Sequence, residues 1–142
     1  MTLETMPLSK ALNSGLRRAM EDDSRVLLMG EDIGKLGGVF RVTEHLQRDF
    51  GDKRVLDTPL AESGIVGTAI GLAMTGFRPV IEIQFDGFVF PAFDQITTQL
   101  AKLTNRHEGK LSLPIVIRIP YGGHIGACLL YTSPSPRDVE ES

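Results

Sequence analysis

Segments with helical periodicity alternate with short apolar runs along this chain, and this order constrains its fold more than any other feature of the sequence. Apolar residues recur at helical spacing over 7–22, 63–75 and 91–106, and a shorter helix is predicted over 42–50. The apolar runs that are typical of buried strands lie at 25–30, 55–57, 78–85 and 114–120. Strands that alternate with helices form a mainly parallel sheet with helices on both faces. The sequence therefore predicts an α/β fold of this kind.

The charge and composition of the chain exclude several classes of protein. Its 142 residues include 15 Lys+Arg and 18 Asp+Glu, a formal net charge of −3, so no positive field favours nucleic acid or an anionic membrane. The sequence has no apolar run of about 18 residues and no signal-peptide pattern at its start. A single cysteine, Cys128, excludes an internal disulfide, and three scattered histidines form no zinc motif. We expect a cytoplasmic protein without a metal site of its own.

Acidic and aromatic residues follow the predicted strands at the points where those strands end. Glu31 and Asp32 follow the first strand, and the segments 59–62, 86–88 and 121–124 follow the other three. Because the carboxyl ends of parallel strands lie at one edge of the sheet, these segments are expected to line one crevice. A domain that only packs needs no acidic clusters there, so the sequence predicts a ligand site at this edge.

Glu62 stands directly before an apolar helix, and two interpretations of it stay open. It can be a solvated carboxylate at the positive end of the helix macrodipole, an interaction that contributes about 0.3–1 kcal/mol. It can instead be partly buried, with a raised pKa that suits the sharing of a proton with a ligand. His124, on the loop after the last predicted strand, similarly reads either as a catalytic base or as a structural group.

Three glycines, Gly64, Gly67 and Gly71, lie inside the helix predicted over 63–75. Each destabilises a helix by about 1 kcal/mol relative to alanine, which indicates that another surface approaches this helix closely. That surface is either the sheet of the same chain or another subunit, and the spacing does not distinguish the two.

Seven short sequence blocks, in order along the chain, carry a family resemblance that covers residues 5–127. They are MGEDI at 29–33, GGVFR at 37–41, DTPLAESGIVG at 57–67, EIQF at 82–85, FPAFDQ at 90–95, PIVIR at 114–118 and GGHIG at 122–126. In these blocks the chain resembles the β subunit of the E1 component of 2-oxo acid dehydrogenases, of the pyruvate and branched-chain type. The resemblance implies an incomplete transketolase-like, thiamine diphosphate pyrimidine-binding domain at 1–127. Residues 128–142 lie beyond it and are expected to be an unrelated, disordered tail.

The resemblance also implies a function and a site. Enzymes of this family use thiamine diphosphate to decarboxylate a 2-oxo acid oxidatively, and they pass the acyl unit to a lipoyl group on the E2 component. Glu62 stands at the position of the catalytic glutamate, which hydrogen-bonds the aminopyrimidine ring and favours its imino tautomer. Glu31, Leu60 and Phe88 are expected to surround the same ring, so these three and Glu62 are the predicted cofactor-binding residues.

Partners follow from the same resemblance. The diphosphate and Mg²⁺ of the cofactor are held mainly by an E1 α subunit, and two α and two β subunits form a heterotetramer that meets E2. We therefore expect this chain to be inactive by itself. The match stops at Ala127, so a histidine that the family carries beyond this point is missing, and His124 is not its equivalent.

Two alternative functions are considered beside this one. The first is the equivalent domain of a transketolase-like enzyme or of a deoxyxylulose-phosphate synthase, which the blocks at 82–85 and 90–95 disfavour. The second, from a different class, is an α/β module that binds partners without catalysis.

Overall fold

Four parallel strands form the centre of the structure, a computed structural model that describes residues 5–121. The strands are β1 (Val26–Gly30), β2 (Val55–Asp57), β3 (Arg78–Glu82) and β4 (Val116–Arg118). They lie in the order β2-β1-β3-β4, and every neighbouring pair is parallel. All five residues of β1 are buried, because an uninterrupted apolar run suits a strand covered on both faces. The predicted α/β fold with a parallel sheet is confirmed.

Helices connect the strands and cover both faces of the sheet. They are α1 (Leu8–Asp22), α2 (Leu46–Phe50), α3 (Glu62–Met74) and α4 (Ala101–Arg106), and α4 is preceded by a 3₁₀ segment (Asp86–Ala92) and a π-helical segment (Gln95–Leu100). Successive side chains of a strand point to opposite faces. Val26 and Leu28 accordingly pack with α1 and α2, whereas Leu27 and Met29 pack with α3 and with the region of α4.

The segment after β3 departs from the single helix predicted there. Pro91 lies inside the 3₁₀ segment, and an α-helix of more than two residues forms only as α4, from Ala101 onward. Between them the hydroxyls of Thr97 and Thr98 donate to the carbonyl oxygens of Phe93 and Asp94, at 2.9 and 2.7 Å. Threonine hydroxyls that bond back in this way bend a helix.

Three other elements are shorter than predicted. β3 ends before Ile83, and β4 covers three residues because Pro114 and Pro120 lack the amide N–H that a sheet ladder needs. α2 begins at Leu46 and not at 42, because His45 takes the left-handed conformation with φ 67°.

The glycines of α3 lie on its exposed side. A Cβ at Gly67 or Gly71 meets no atom within 4 Å, and one at Gly64 meets the Cβ of Ala61 at an ordinary 3.7 Å. The interpretation of tight packing within the same chain is therefore wrong for residues 5–121. The opposite side of α3 carries its buried apolar residues, which are Ile65, Val66, Ala69, Ile70 and Ala73.

Some predictions fall outside the described residues. These are the tail over 128–142, the GGHIG block at 122–126 and His124. In the part of the chain that the structure describes, no helix is both long and apolar enough to cross a membrane.

Candidate functional site

The topological switch point of the sheet lies between β1 and β3. The chain runs from β1 to β2 on one side of β1, whereas β3 lies on its other side. In open parallel sheets, ligands bind at the carboxyl ends of strands that part in this way. Glu31 and Asp32 follow β1 at this point, and the 3₁₀ segment begins four residues after the end of β3. The edge predicted from the sequence therefore coincides with the switch point.

Glu31 is a buried carboxylate without a hydrogen-bond partner. Its exposed fraction is 5%, and neither carboxylate oxygen is hydrogen-bonded within residues 5–121. Burial raises the pKa of Glu31, and the charges of Glu62 and Asp32 raise it further. The backbone N–H of Ala61 opposes part of this rise, but it does not complete a hydrogen bond. Glu31 can therefore keep its proton at a pH at which an exposed glutamate has lost it.

Glu62 is the first residue of α3, and its exposed fraction is 7%. Ala61 at the N-cap position offers no side-chain oxygen to the first turn, so the carboxylate of Glu62 is the group that meets the positive end of the helix. Glu31 and Glu62 are both buried at this edge of the sheet, and the charge of Glu62 raises the pKa of Glu31. The interpretation of Glu62 as a solvated carboxylate is therefore wrong, and the alternative of burial at the sheet edge holds.

Three hydrogen bonds fix the loop that follows β1, residues 31–38, which we call the Glu31 loop. Asp57, at the end of β2, accepts through Oδ1 from the amide N–H of Gly34 at 2.6 Å. Gln84, just after β3, donates through Nε2 to Oδ2 of Asp32 at 3.0 Å. The amide N–H of Gly38 donates to the carbonyl oxygen of Asp32 at 2.8 Å. The loop is thus tied to the strands on both sides of β1.

Two polar residues at this edge, Gln84 and Thr58, were not predicted. Gln84 had one available signal, its position directly after an apolar strand, where polar residues of the other strands also gather. Thr58 follows β2, and its hydroxyl is buried without a partner in the described chain. Nothing in its local sequence pattern indicates that burial, since it depends on how α3 packs over the end of β2.

Leu60 and Phe88, the two apolar residues predicted at the site, are both exposed. Leu60 lies on the bend between β2 and α3, and Phe88 lies in the 3₁₀ segment that follows β3. The ring of Phe88 meets that of Phe85 edge-on, with centroids 5.9 Å apart. Both residues therefore lie on segments that lead away from the carboxyl edge of the sheet. Their exposed side chains offer apolar surface to a ligand.

An apolar cavity of about 350 Å³ opens between the end of β2 and α3. Its lining residues are Met29, Leu56, Asp57, Thr58, Pro59, Ala61, Gly64, Ile65 and Thr68. Neither Glu31 nor Glu62 lines it, so the two carboxyl groups and this cavity are separate features of the same edge. Between residues 5 and 121, no group of three or more His, Cys, Asp or Glu side chains is arranged to hold a metal ion.

The paired carboxyl groups suit one kind of chemistry. A glutamic acid that keeps its proton donates a hydrogen bond, whereas an ionised neighbour accepts one. Together they can hold a single proton and present it to, or withdraw it from, a nitrogen atom of a flat ligand. The buried and unpartnered oxygens of Glu31 fit a polar ligand group that completes their hydrogen bonds.

Most of the chain matches known proteins in sequence. The family model described as transketolase, pyrimidine binding domain, matches residues 4–127. The chain is similar to the pyruvate dehydrogenase E1 component subunit beta of Leifsonia xyli subsp. xyli, with 70% identity over 125 residues, which cover 88% of this chain and 37% of that protein. It is also similar to the proteins of the same name in Staphylococcus epidermidis (53% identity) and Acholeplasma laidlawii (49%), each over 120 residues, or 84% of this chain and 37% of the relative.

The chain thus spans 37% of the length of these curated relatives. Within that span the family match covers the whole described sheet, the Glu31 loop and α3. We conclude that the chain belongs to the transketolase pyrimidine-binding domain family.

Proposed function

We propose that this chain is the pyrimidine-binding part of the E1 β subunit of a thiamine diphosphate-dependent 2-oxo acid dehydrogenase. The proposed reaction is the oxidative decarboxylation of a 2-oxo acid, with transfer of the acyl unit to a lipoyl group on E2. The name of the similar proteins supports pyruvate as the 2-oxo acid. The single observation that carries the proposal is the burial of Glu62 and Glu31 at the carboxyl edge of the sheet, because a buried carboxyl group suits the sharing of a proton with the cofactor ring.

Four residues of this chain would hold the aminopyrimidine ring. Glu62 would hydrogen-bond a ring nitrogen, and Glu31 would hold the proton that the pair shares. Leu60 and Phe88 would supply apolar contacts from the two segments that flank them. The cofactor, when bound, supplies the carbon that adds to the carbonyl of the 2-oxo acid and accepts the electron pair released with carbon dioxide. Burial of Glu31 excludes water from the place where the proton is held.

The proposal includes partners that this chain requires. We assign the diphosphate and Mg²⁺ to an E1 α subunit, in an α2β2 assembly in the cytoplasm that delivers its product to E2. The exposed glycine face of α3 supports a close subunit contact, since a helix without side chains there lets another surface approach its backbone. The alternative of a module that only binds partners does not explain why the two oxygens of Glu31 are buried without a hydrogen-bond partner in the described chain.

The test uses Glu62→Gln in a full-length β subunit that carries residues 1–127 and is assembled with its α subunit. The substitution keeps the side-chain volume and removes the acidic group. We expect thiamine diphosphate to bind while release of carbon dioxide from pyruvate falls at least about 100-fold, as is typical for loss of a general acid–base group. Glu108→Gln, at an exposed ion pair with Lys110, is the matched control and is expected to keep full activity.

Two results would count against the proposal. One is decarboxylation at the wild-type rate by Glu62→Gln with the cofactor bound. The other concerns the assignment of the diphosphate to the α subunit. Titration calorimetry in Mg²⁺ should show no tight binding of thiamine diphosphate to the 142-residue chain alone, and micromolar binding would contradict that assignment.

A further inference from the structure

A buried ion pair lies at the carboxyl ends of β3 and β4, next to the loop that carries Glu31. Glu82 and Arg118 are the last residues of their strands and stand opposite each other in the parallel ladder. Nη2 of Arg118 donates to Oε2 of Glu82. The exposed fraction of Glu82 is 4%, and that of the Arg118 side chain is 17%. At this depth desolvation offsets most of the attraction between the charges, so the pair contributes little net stability.

Glu82 also lies against the N-terminal end of the Glu31 loop. Gly30, the residue directly before Glu31, is its neighbour in β1. A Cβ added at Gly30 would lie 2.8 Å from the carbonyl oxygen of Glu82, closer than real Cβ atoms approach, and 3.1 Å from the Cβ of Glu82. The backbone at Gly30 therefore rests directly on Glu82, and only glycine fits there.

The far end of the same loop lies near the carboxylate of Glu82. A Cβ at Gly38 would lie 3.7 Å from Oε1 and 3.9 Å from Oε2 of Glu82. Gly38 itself has φ 76° and donates its amide N–H to the carbonyl oxygen of Asp32. Glu82 thus lies next to both ends of a loop that begins at Glu31, with its backbone against Gly30 and its carboxylate near Gly38.

We propose that Glu82 and Arg118 are positioning residues for the carboxylate pair of Glu31 and Glu62. Glu82 supports both ends of the loop, and Arg118 fixes Glu82 through the ion pair. The carboxylate of Glu31 makes no hydrogen bond in the described chain, so its place depends on the backbone on either side of it. The catalytic meaning of this positioning rests on the proposed function, whereas the effect on the location of Glu31 does not.

The experiment measures the pKa of Glu31 in the 142-residue chain. Side chains of glutamate labelled with ¹³C are titrated by NMR, and the Glu31 signal is assigned by its loss in Glu31→Gln. The variant is Arg118→Met, which keeps the length of the side chain and removes its charge. Removal of a positive charge can only leave the pKa of Glu31 unchanged or raise it through direct electrostatics. We expect a fall toward the ordinary glutamate value, because a released loop exposes Glu31 to water.

Two further variants make the outcome decisive. Arg118→Lys keeps the charge but loses the planar fork, and it should lower the pKa of Glu31 by a smaller amount. It carries the test by itself if Arg118→Met does not fold. Met20→Ala is the matched control: Met20 is buried at the other end of the sheet, where Arg54 bonds both its carbonyl oxygen and that of Val26. It should lower the melting temperature and leave the pKa of Glu31 unchanged.

The proposal is overturned if the pKa of Glu31 stays the same or rises in the Arg118 variants. It is also overturned if Met20→Ala lowers that pKa as much as they do, since general loosening would then explain the fall. None of these readings involves thiamine diphosphate or catalysis. Failure of the positioning role and failure of the proposed function are therefore separate results.

Discussion

The charge of Glu62 raises the pKa of Glu31, although α2 and β2 separate these residues along the chain. The parallel topology brings them together, because the residue after β1 and the first residue of α3 both lie at the carboxyl edge of the sheet. Both side chains are buried, so the repulsion between them is weakly screened. A proton held by Glu31 removes that repulsion, which links the stability of the fold to the chemistry we propose for it.

Glu31→Gln should stabilise the chain at neutral and higher pH. The folded state raises the pKa of Glu31 above its ordinary value of 4.5, so the folded chain binds this proton more tightly than the unfolded one. The contribution of protonated Glu31 to the free energy of unfolding is therefore complete below about pH 4.5. It is lost as the pH rises through the raised pKa. We expect the variant to gain about 1–2 kcal/mol near pH 8, because an unpartnered buried carboxylate is removed. Urea unfolding at a series of pH values checks this, and an equal gain near pH 4 would contradict it.

Asp49→Asn should reduce the loss of stability on the acid side. Hydrogen bonds from Arg48 and from Arg17 hold the pKa of Asp49 at about 2, below its ordinary 3.8. Because the folded state lowers the pKa of Asp49, ionised Asp49 stabilises the fold above about pH 3.8. This contribution to the free energy of unfolding is lost as the pH falls through about 2. The difference in unfolding free energy between wild type and variant should therefore shrink between these two values. Asp52→Asn, at an exposed carboxylate without an ion pair among the described residues, is the control and should run parallel to wild type.

Substitutions at two glycines should have opposite effects on the isolated chain. A Cβ at Gly67 meets open space, so Gly67→Ala is expected to raise the unfolding free energy by about 0.5–1 kcal/mol through helix propensity. Gly30→Ala should destabilise the chain, because its Cβ would lie 2.8 Å from the carbonyl oxygen of Glu82. Thermal unfolding of both variants tests this contrast. Gly67→Leu should leave the isolated chain folded and weaken assembly with other subunits, which sedimentation measures.

Arg54→Met should be among the more damaging changes away from the carboxyl edge. The guanidinium donates to the carbonyl oxygens of Met20, Asp23 and Val26 at 2.7–3.1 Å. It also lies 5.5 Å from the centre of the Phe50 ring. Hydrogen bonds from a charged donor contribute about 1.5–3 kcal/mol each, but these bonds share one guanidinium group and their contributions do not add in full. We expect a loss of about 2–4 kcal/mol in urea unfolding, and Arg48→Met, at an exposed ion pair, should lose under about 1 kcal/mol.

The order of elements could be predicted because it depends on local patterns. The strand at 55–57 has the predicted bounds, and α3 begins one residue from its predicted start. An apolar run between glycine and charged residues carries this information without any knowledge of its neighbours. The element bounds that were predicted wrongly depend on local details of the folded chain. Examples are the left-handed conformation of His45 and the hydrogen bonds from the hydroxyls of Thr97 and Thr98 to carbonyl oxygens four residues earlier.

The position of the candidate site in the fold could be predicted, but the burial and the contacts of its side chains could not. Strand ends located Glu31 and Glu62 at one edge of the sheet. Their burial, and the contact of Gln84 with Asp32, depend on how separate elements pack, which residue spacing does not encode. The two interpretations of Glu62 and of the α3 glycines stayed open for the same reason. The roles of Glu31, Leu60, Glu62 and Phe88 toward a cofactor stay predictions.

The ion pair of Glu82 and Arg118 also stabilises the register in which β4 pairs with β3. β4 pairs with β3 over only three residues, so few backbone hydrogen bonds oppose a slip along its neighbour. A slip of one position would set Ile117 or Ile119 opposite Glu82 and would turn every β4 side chain to the other face. Glu82 would then be buried without its counter-ion, a loss of about 3–5 kcal/mol. A three-residue outer strand of the sheet therefore has its alignment reinforced by a single pair of opposite charges.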